Sequence, residues 1–484
     1  MQQERRASLL TVLGLAALTV ALRLPFLGAP AGNDEAGYLI VGDSWGSGSS
    51  LYGDYWVDRP PLLLWIFDAA GDLTTIRLLG CLAAAVTVLA VGATAAVAAG
   101  RHAAPWAAGT AAVLCASPWL GTVRVNGEML AAPFVALALL CTVLALHRPR
   151  DAWWAATAGV LATCGLAVKQ STVDGFVFAV VAISVLALTQ PSDRHRSLRV
   201  LAGGVGGAVA TTALLVLGAA LRGTDPGELF EALIVFRVDA GRVIGDAASE
   251  ATTERFLVLV GTWAVSGLAM VSIAVLVLAV RRRREPVIVA TAATILAVSA
   301  VAVLGGSYWA HYLQQLVPAV ALGAGLVAAA VAPWLRRAGA VLVVAGLVVT
   351  MTYSVAAGSQ ANTDAQDLGQ AVRDVSEPGD TMVVAYGQPN VLLAAEMQSP
   401  YENLWSLPIR VRDPQLTELV DVLRGPDAPT WVVEWSDFDT WAVDAEELKI
   451  AVADRYRPVA TPCGHVVWLR QDLDRGTVEE RDCG

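Results

Sequence analysis

The sequence predicts a membrane-embedded all-α bundle of about eleven transmembrane helices, followed by a small extracytoplasmic α/β domain. Three observations carry this reading. The 484-residue chain is 56% hydrophobic and 16% charged, where ordinary soluble domains carry about 25% charged residues. Apolar stretches of roughly 17 to 25 residues, each long enough to cross a ~30 Å hydrocarbon core, recur from Ser8 to about Ala357. From Gly358 to Gly484 the composition changes to the mixed polar and apolar character of a folded soluble domain. The expected division is therefore 1–357, membrane domain, and 358–484, soluble domain.

The candidate spans are 8–27, 74–99, 104–120, 129–146, 152–168, 172–189, 199–221, 256–280, 286–304, 312–333 and 338–357. The first resembles a signal peptide with a cleavage site near Ala29-Pro30-Ala31, but it exceeds the ~7 to 15 residues of a typical signal core, so an uncleaved span is expected. Orientation follows from the basic residues. With a cytoplasmic N-terminus, the clusters at Arg101-His102, His147 to Arg150, Arg194 to Arg199, Arg281 to Arg284 and Arg336-Arg337 all lie inside. An odd number of spans then puts the tail outside, together with loops 28–73, 121–128, 222–255 and 305–311. A bacterial plasma membrane is the expected location.

The net charge of −10 does not argue for an acidic ligand, because the acid excess lies largely in the tail and one early loop. Nucleic acid is not an expected partner; membrane lipids are. Lys169 and Lys449 are the sole lysines in an arginine-rich chain, which draws attention to Lys169. Cys81, Cys115, Cys141 and Cys164 fall in apolar spans as small core residues. Cys463 and Cys483, alone in the outer domain, are expected to form a disulfide.

The first outer loop, 28–73, carries the densest chemistry. It reads Gly32-Asn33-Asp34-Glu35-Ala36-Gly37-Tyr38, then Leu51-Tyr52-Gly53-Asp54-Tyr55-Trp56-Val57-Asp58-Arg59-Pro60-Pro61-Leu62. An Asp-Glu pair just beyond the first span, an aromatic a few residues on and a basic residue before Pro-Pro-Leu together resemble the polyprenyl-phosphate-sugar-dependent glycosyltransferases of the GT-C superfamily. The protein O-mannosyltransferases and lipid A aminoarabinose transferases are the relatives in view. Gly165-Leu166-Ala167-Val168-Lys169 is similar to a Gly-Leu-Ala segment ending in Lys, although Val-Lys-Gln stands where Thr-Lys-Gly is usual. Arg124 to Glu128 matches the acidic second outer loop, and Tyr308 to Tyr312 followed by Pro318 resembles a His-Tyr loop entering a late span.

The resemblance implies a cell-envelope enzyme that moves a hexosyl or pentosyl group from a polyprenyl-phosphate donor to an extracytoplasmic glycan, glycolipid or protein, with inversion. Such a reaction needs a base for the acceptor hydroxyl, and a carboxylate can serve. The catalytic candidates are Asp34 as base, with Glu35 and Glu128. The leaving phosphate needs fixed positive charge. Arg59, at the start of a proline-initiated helix, Lys169, His311 and Arg237 are the candidates. Tyr38, Tyr55 and Tyr308 are candidates for acceptor or sugar binding. No cofactor is certain; a divalent cation stays open, with Asp34, Glu35 and His311 as ligands if one is used.

Each residue also has a plainer reading. Asn33, Asp34 and Glu35 suit a helix N-cap, Arg59 and Lys169 suit interfacial snorkelling, and Glu128 suits an ion pair with Arg124. His311 suits an interfacial aromatic belt. The alternative function is a transporter or lipid flippase, which would place ionisable residues near the bilayer midplane and repeat the membrane half. In the tail, helices are expected over 364–375, 415–423 and 445–454, and strands over 381–386, 431–435 and 465–469, with an acceptor-binding or packing role.

Overall fold

The structure is a computed structural model that describes residues 2–46, 48–246, 250–357, 362–440, 443–481 and 483. All eleven apolar segments are helical. Among the described residues, eight helices are long and apolar enough to cross a membrane, or nine counting one bent pair. That pair, Ala251–Val265 and Leu268–Arg281, replaces the straight span expected at 256–280. It bends by 66° at Gly267, whose φ of 83° lies in the left-handed region that ends a helix. The helices Ala104–Ala116 and Asp174–Thr189 have 13 and 16 residues, fewer than the ~20 needed to span without help from flanking chain.

Small residues let the apolar helices pack closely, as expected where lipid removes the usual hydrophobic drive. Helices Asp151–Val168 and Arg194–Leu221 run against each other on glycine: a Cβ on Gly159 would lie 2.0 Å from the Gly204 carbonyl, and one on Gly207 2.1 Å from that of Ala156. Elsewhere on Arg194–Leu221, Leu198, Leu214, Leu217 and Leu221 are exposed, a surface suited to lipid chains.

The tail forms a four-stranded sheet in the order β1-β2-β4-β3. β1 (Met382–Ala385) runs parallel to β2 (Trp431–Glu434), and β4 (Val466–Arg470) is antiparallel to both β2 and β3 (Tyr456–Ala460). Helices Asp364–Arg373, Thr417–Arg424 and Glu446–Arg455 match the expected positions. Cys463 and Cys483 form a disulfide. The expected boundary at residue 358 lies in 358–361, outside the described residues.

Tail and first outer loop share a core. Tyr38, Trp45, Tyr52 and Trp56 are buried in one cluster with Leu392, Leu404, Trp431 and Val467. The Trp56 amide donates to the Glu402 carbonyl (3.0 Å), the Ser399 amide to the Tyr55 hydroxyl (3.0 Å) and Asn390 Nδ2 to the Ala31 carbonyl (3.3 Å). The chemistry-bearing loop is thus held on one side by membrane helices and on the other by the tail.

Candidate active site

Between these layers lies a cavity of 1470 Å³, lined by the first loop, residues 121–128, Val168-Lys169, Arg237, the 307–312 loop and the tail. Among the described residues, eight arginine and lysine and five acidic side chains face it, so a chain of net charge −10 carries a locally positive chamber.

Helix Asn33–Ser44 starts from Gly32, and Glu35 at its third position reaches back to accept the Gly32 amide (3.1 Å). Glu35 is fully buried and also accepts from the Val125 amide (2.8 Å) and from Arg77 Nη2 (2.8 Å) and Nε (3.2 Å). Arg77 further donates to the carbonyls of Leu27, Ala29 and Pro30. Both Glu35 oxygens are therefore occupied, and the helix-capping reading applies to Glu35. Asp34 differs. Its Oδ1 accepts the Trp405 indole N–H at 3.2 Å; among the described residues it makes no salt bridge, and Oδ2 has no hydrogen-bond partner. The other four cavity carboxylates all pair with a cation.

Helix Pro61–Ala70 has Pro60 at its N-cap and Pro61 at its first position, which directs its free N–H groups toward Arg59. Arg59 Nε donates to the Tyr38 hydroxyl (2.8 Å) and Nη1 to Asp58 Oδ1 (2.7 Å). Burial opposes the Arg59 charge, but Asp58, Tyr38 and Asp34 outweigh it and hold the guanidinium well above its ordinary range. Burial raises the Tyr38 phenol well above its ordinary range, so it stays neutral. Asp58 also pairs through Oδ2 with Arg237, and its carbonyl accepts from Gln170 Nε2 (2.7 Å).

Lys169 and His311 also face the cavity. Lys169 Nζ pairs with Glu128 and sits 4.5 Å above the Tyr312 ring; His311 Nε2 lies 3.8 Å from the same Glu128 oxygen. Glu128 thus pairs with Lys169 rather than with Arg124. Burial lowers the Lys169 ammonium below the ordinary lysine range, against the pull of Glu128.

Asp34, Glu35, Tyr38, Arg59, Glu128, Lys169, Arg237 and His311 all line the cavity. Tyr55 and Tyr308 do not: Tyr55 is buried beneath the tail, and Tyr308 packs on Phe256 with ring centroids 5.0 Å apart. Among the described residues, Asp34, Glu35 and His311 do not converge as a metal-ligand group, and with Glu35 committed to Arg77 the set does not fit a divalent ion in this arrangement. Sequence reasoning passed over Arg77, a charge inside an apolar span and so a readable signal. It also gave no role to Asp58 or to Arg255, whose guanidinium stacks 5.1 Å over Trp309.

A family model described as dolichyl-phosphate-mannose-protein mannosyltransferase matches residues 58–217, a stretch that contains Arg59, Glu128 and Lys169 but not Asp34. No curated protein matches the chain by sequence. Among solved structures, ArnT from Cupriavidus metallidurans bound to undecaprenyl phosphate is similar with a TM-score of 0.67 and 15% identity, covering 95% of this chain and 97% of that one. The oligosaccharyltransferase of Archaeoglobus fulgidus in its apo form gives 0.61 and 15%, covering 96% of this chain and 75% of that one. The same archaeal enzyme, AglB, with an inhibitory peptide and a dolichol-phosphate gives 0.59 and 15%, covering 99% and 76%. At these identities the likeness establishes the fold, which is the GT-C fold. The family match, over residues 58–217, covers about a third of the chain and points the same way.

Proposed function

We propose that this enzyme transfers one sugar from a polyprenyl-phosphate donor to an extracytoplasmic acceptor hydroxyl, with Asp34 as general base and inversion at the anomeric carbon. Asp34 takes the hydroxyl proton as the acceptor oxygen bonds to the anomeric carbon. The bond from that carbon to the donor phosphate oxygen breaks, and the electron pair leaves with the lipid phosphate. Arg59, Lys169, Arg237 and His311 hold that phosphate, and the polar tail wall faces the acceptor. The enzyme lies in a bacterial plasma membrane with its N-terminus cytoplasmic and the cavity outside.

The observation that carries the reading is the single unpaired carboxylate, Asp34, in a chamber where arginine and lysine predominate. An uncommitted carboxylate can accept a proton, and the surrounding cations favour a departing phosphate. The lipid phosphates bound by ArnT and AglB support the donor class.

The test incubates membranes containing the protein with a panel of radiolabelled polyprenyl-phosphate sugars. Asp34→Asn keeps the shape but loses the base, so turnover should fall by roughly 10² to 10⁴-fold with undecaprenyl phosphate binding unchanged. Arg59→Ala should weaken that binding by about 1.5–3 kcal/mol. An active Asp34→Asn enzyme would remove the base assignment, and no labelled product from any donor would remove the reaction.

A further inference from the structure

The tail reaches Asp34 through the side chain of Trp405. Trp405 immediately precedes helix Ser406–Arg412. Its indole N–H points at Asp34 Oδ1 (3.2 Å), and its ring lies 5.5 Å from that of Tyr38, whose hydroxyl in turn receives Arg59. The approach requires a missing side chain one turn along from Asp34. A Cβ on Gly37 would fall 2.2 Å from the Trp405 ring and 3.0 Å from Pro389, an overlap that neither neighbour can relieve cheaply.

The backbone carrying Trp405 is itself anchored. Glu402 accepts the Trp56 amide, Arg412 bridges to Glu402 (2.5 Å) and lies 4.4 Å over the Trp56 ring, and Ser399 donates to Tyr55. An indole is a donor only, so it constrains one carboxylate oxygen while leaving Oδ2 for a proton. We propose that Trp405 is a positioning residue for Asp34: the tail delivers one N–H that fixes the carboxylate rotamer, and Gly37 admits the indole that carries it. The role rests on Asp34 being the base.

The test reads turnover with the labelled polyprenyl-phosphate sugar that the panel identifies, alongside undecaprenyl phosphate binding, in full-length protein. Trp405→Phe keeps an aromatic ring but loses the donor, so kcat should fall about tenfold with undecaprenyl phosphate affinity unchanged. Trp405→His keeps a ring N–H and should recover part of that loss. Gly37→Ala, which pushes the ring away without removing the N–H, should lower kcat the same way and serves if Trp405→Phe does not fold. An unchanged kcat in the folded Trp405→Phe protein, or a Trp405→His protein no better than Trp405→Phe, overturns the proposal. The base reading fails separately, on an active Asp34→Asn enzyme, and a positioning role would fall with it.

Discussion

The Glu35–Arg77 pair separates an architectural carboxylate from a chemical one, and Glu35→Gln with Arg77→Met tests the separation. Side-chain exposure is 0% for Glu35 and 4% for Arg77, so neither charge has water to fall back on. Removing one partner of a buried pair costs about 3–5 kcal/mol, because the other charge remains buried without compensation. Glu35→Gln still offers one carbonyl oxygen to the Val125 or Gly32 amide but leaves Arg77 without a counterion. Each single variant should therefore lose about 3–5 kcal/mol, a large share of the ~5–15 kcal/mol that stabilises a typical domain. The double variant removes both charges and should lose less than the sum, with a coupling of about 2–3 kcal/mol. Unfolding in mixed micelles, titrated with sodium dodecyl sulfate, measures all four proteins. Additive losses would refute the pair as a structural unit. Wild-type stability of Glu35→Gln together with abolished turnover would place Glu35 in the chemistry instead.

Lys169 should give undecaprenyl phosphate binding an alkaline limb below the pH of an ordinary lysine. Its burial favours the neutral amine, the cation is the form that binds phosphate, and affinity therefore falls as pH rises through the lowered value. Lys169→Arg stays charged and should move that limb out of range, whereas an identical profile would take Lys169 out of the phosphate site. Cys463 and Cys483 should both resist thiol labelling in unreduced protein. With a separation of 20 residues, the bridge should contribute about 3 kcal/mol to the tail. Free labelling of either cysteine, or an unchanged tail stability in Cys463→Ala/Cys483→Ala, would contradict the pairing.

Helix positions were legible because long apolar runs have few other solutions in a bilayer. Their continuity was less so. The run 256–280 reads as one span by hydropathy, and the single residue that breaks it, Gly267, is indistinguishable in composition from the glycines at which neighbouring helices simply pack. In the tail, β3 escaped notice because Arg457 and Pro458 interrupt its apolar pattern; proline is tolerated there because β3 is an edge strand. The short helices Pro389–Ala395 and Ser406–Arg412 are too brief to show a helical period; the first packs against Asn33–Ser44 and the second against Phe236–Asp246.

Part of the basic lining was legible, since arginine or lysine beside an apolar span has few neutral explanations: Arg59, Lys169, Arg237 and His311 face the cavity, but so do Arg77 and Arg255, which were passed over. What the sequence hides is pairing. Asp34 and Glu35 are adjacent and chemically alike, yet successive helical residues point about 100° apart, so one turns inward to Arg77 and the other toward the cavity. Asp58 received no role from the sequence because its value lies in joining Arg59 to Arg237, far away in sequence. The net charge misleads for the same reason: most acids lie elsewhere, while the cavity gathers cations that its own acids only partly neutralise. That residual excess lets the paired carboxylates orient the cations without cancelling the field a departing phosphate would meet. In that setting the partner that holds the solitary carboxylate of Asp34 is a neutral N–H donor rather than another cation.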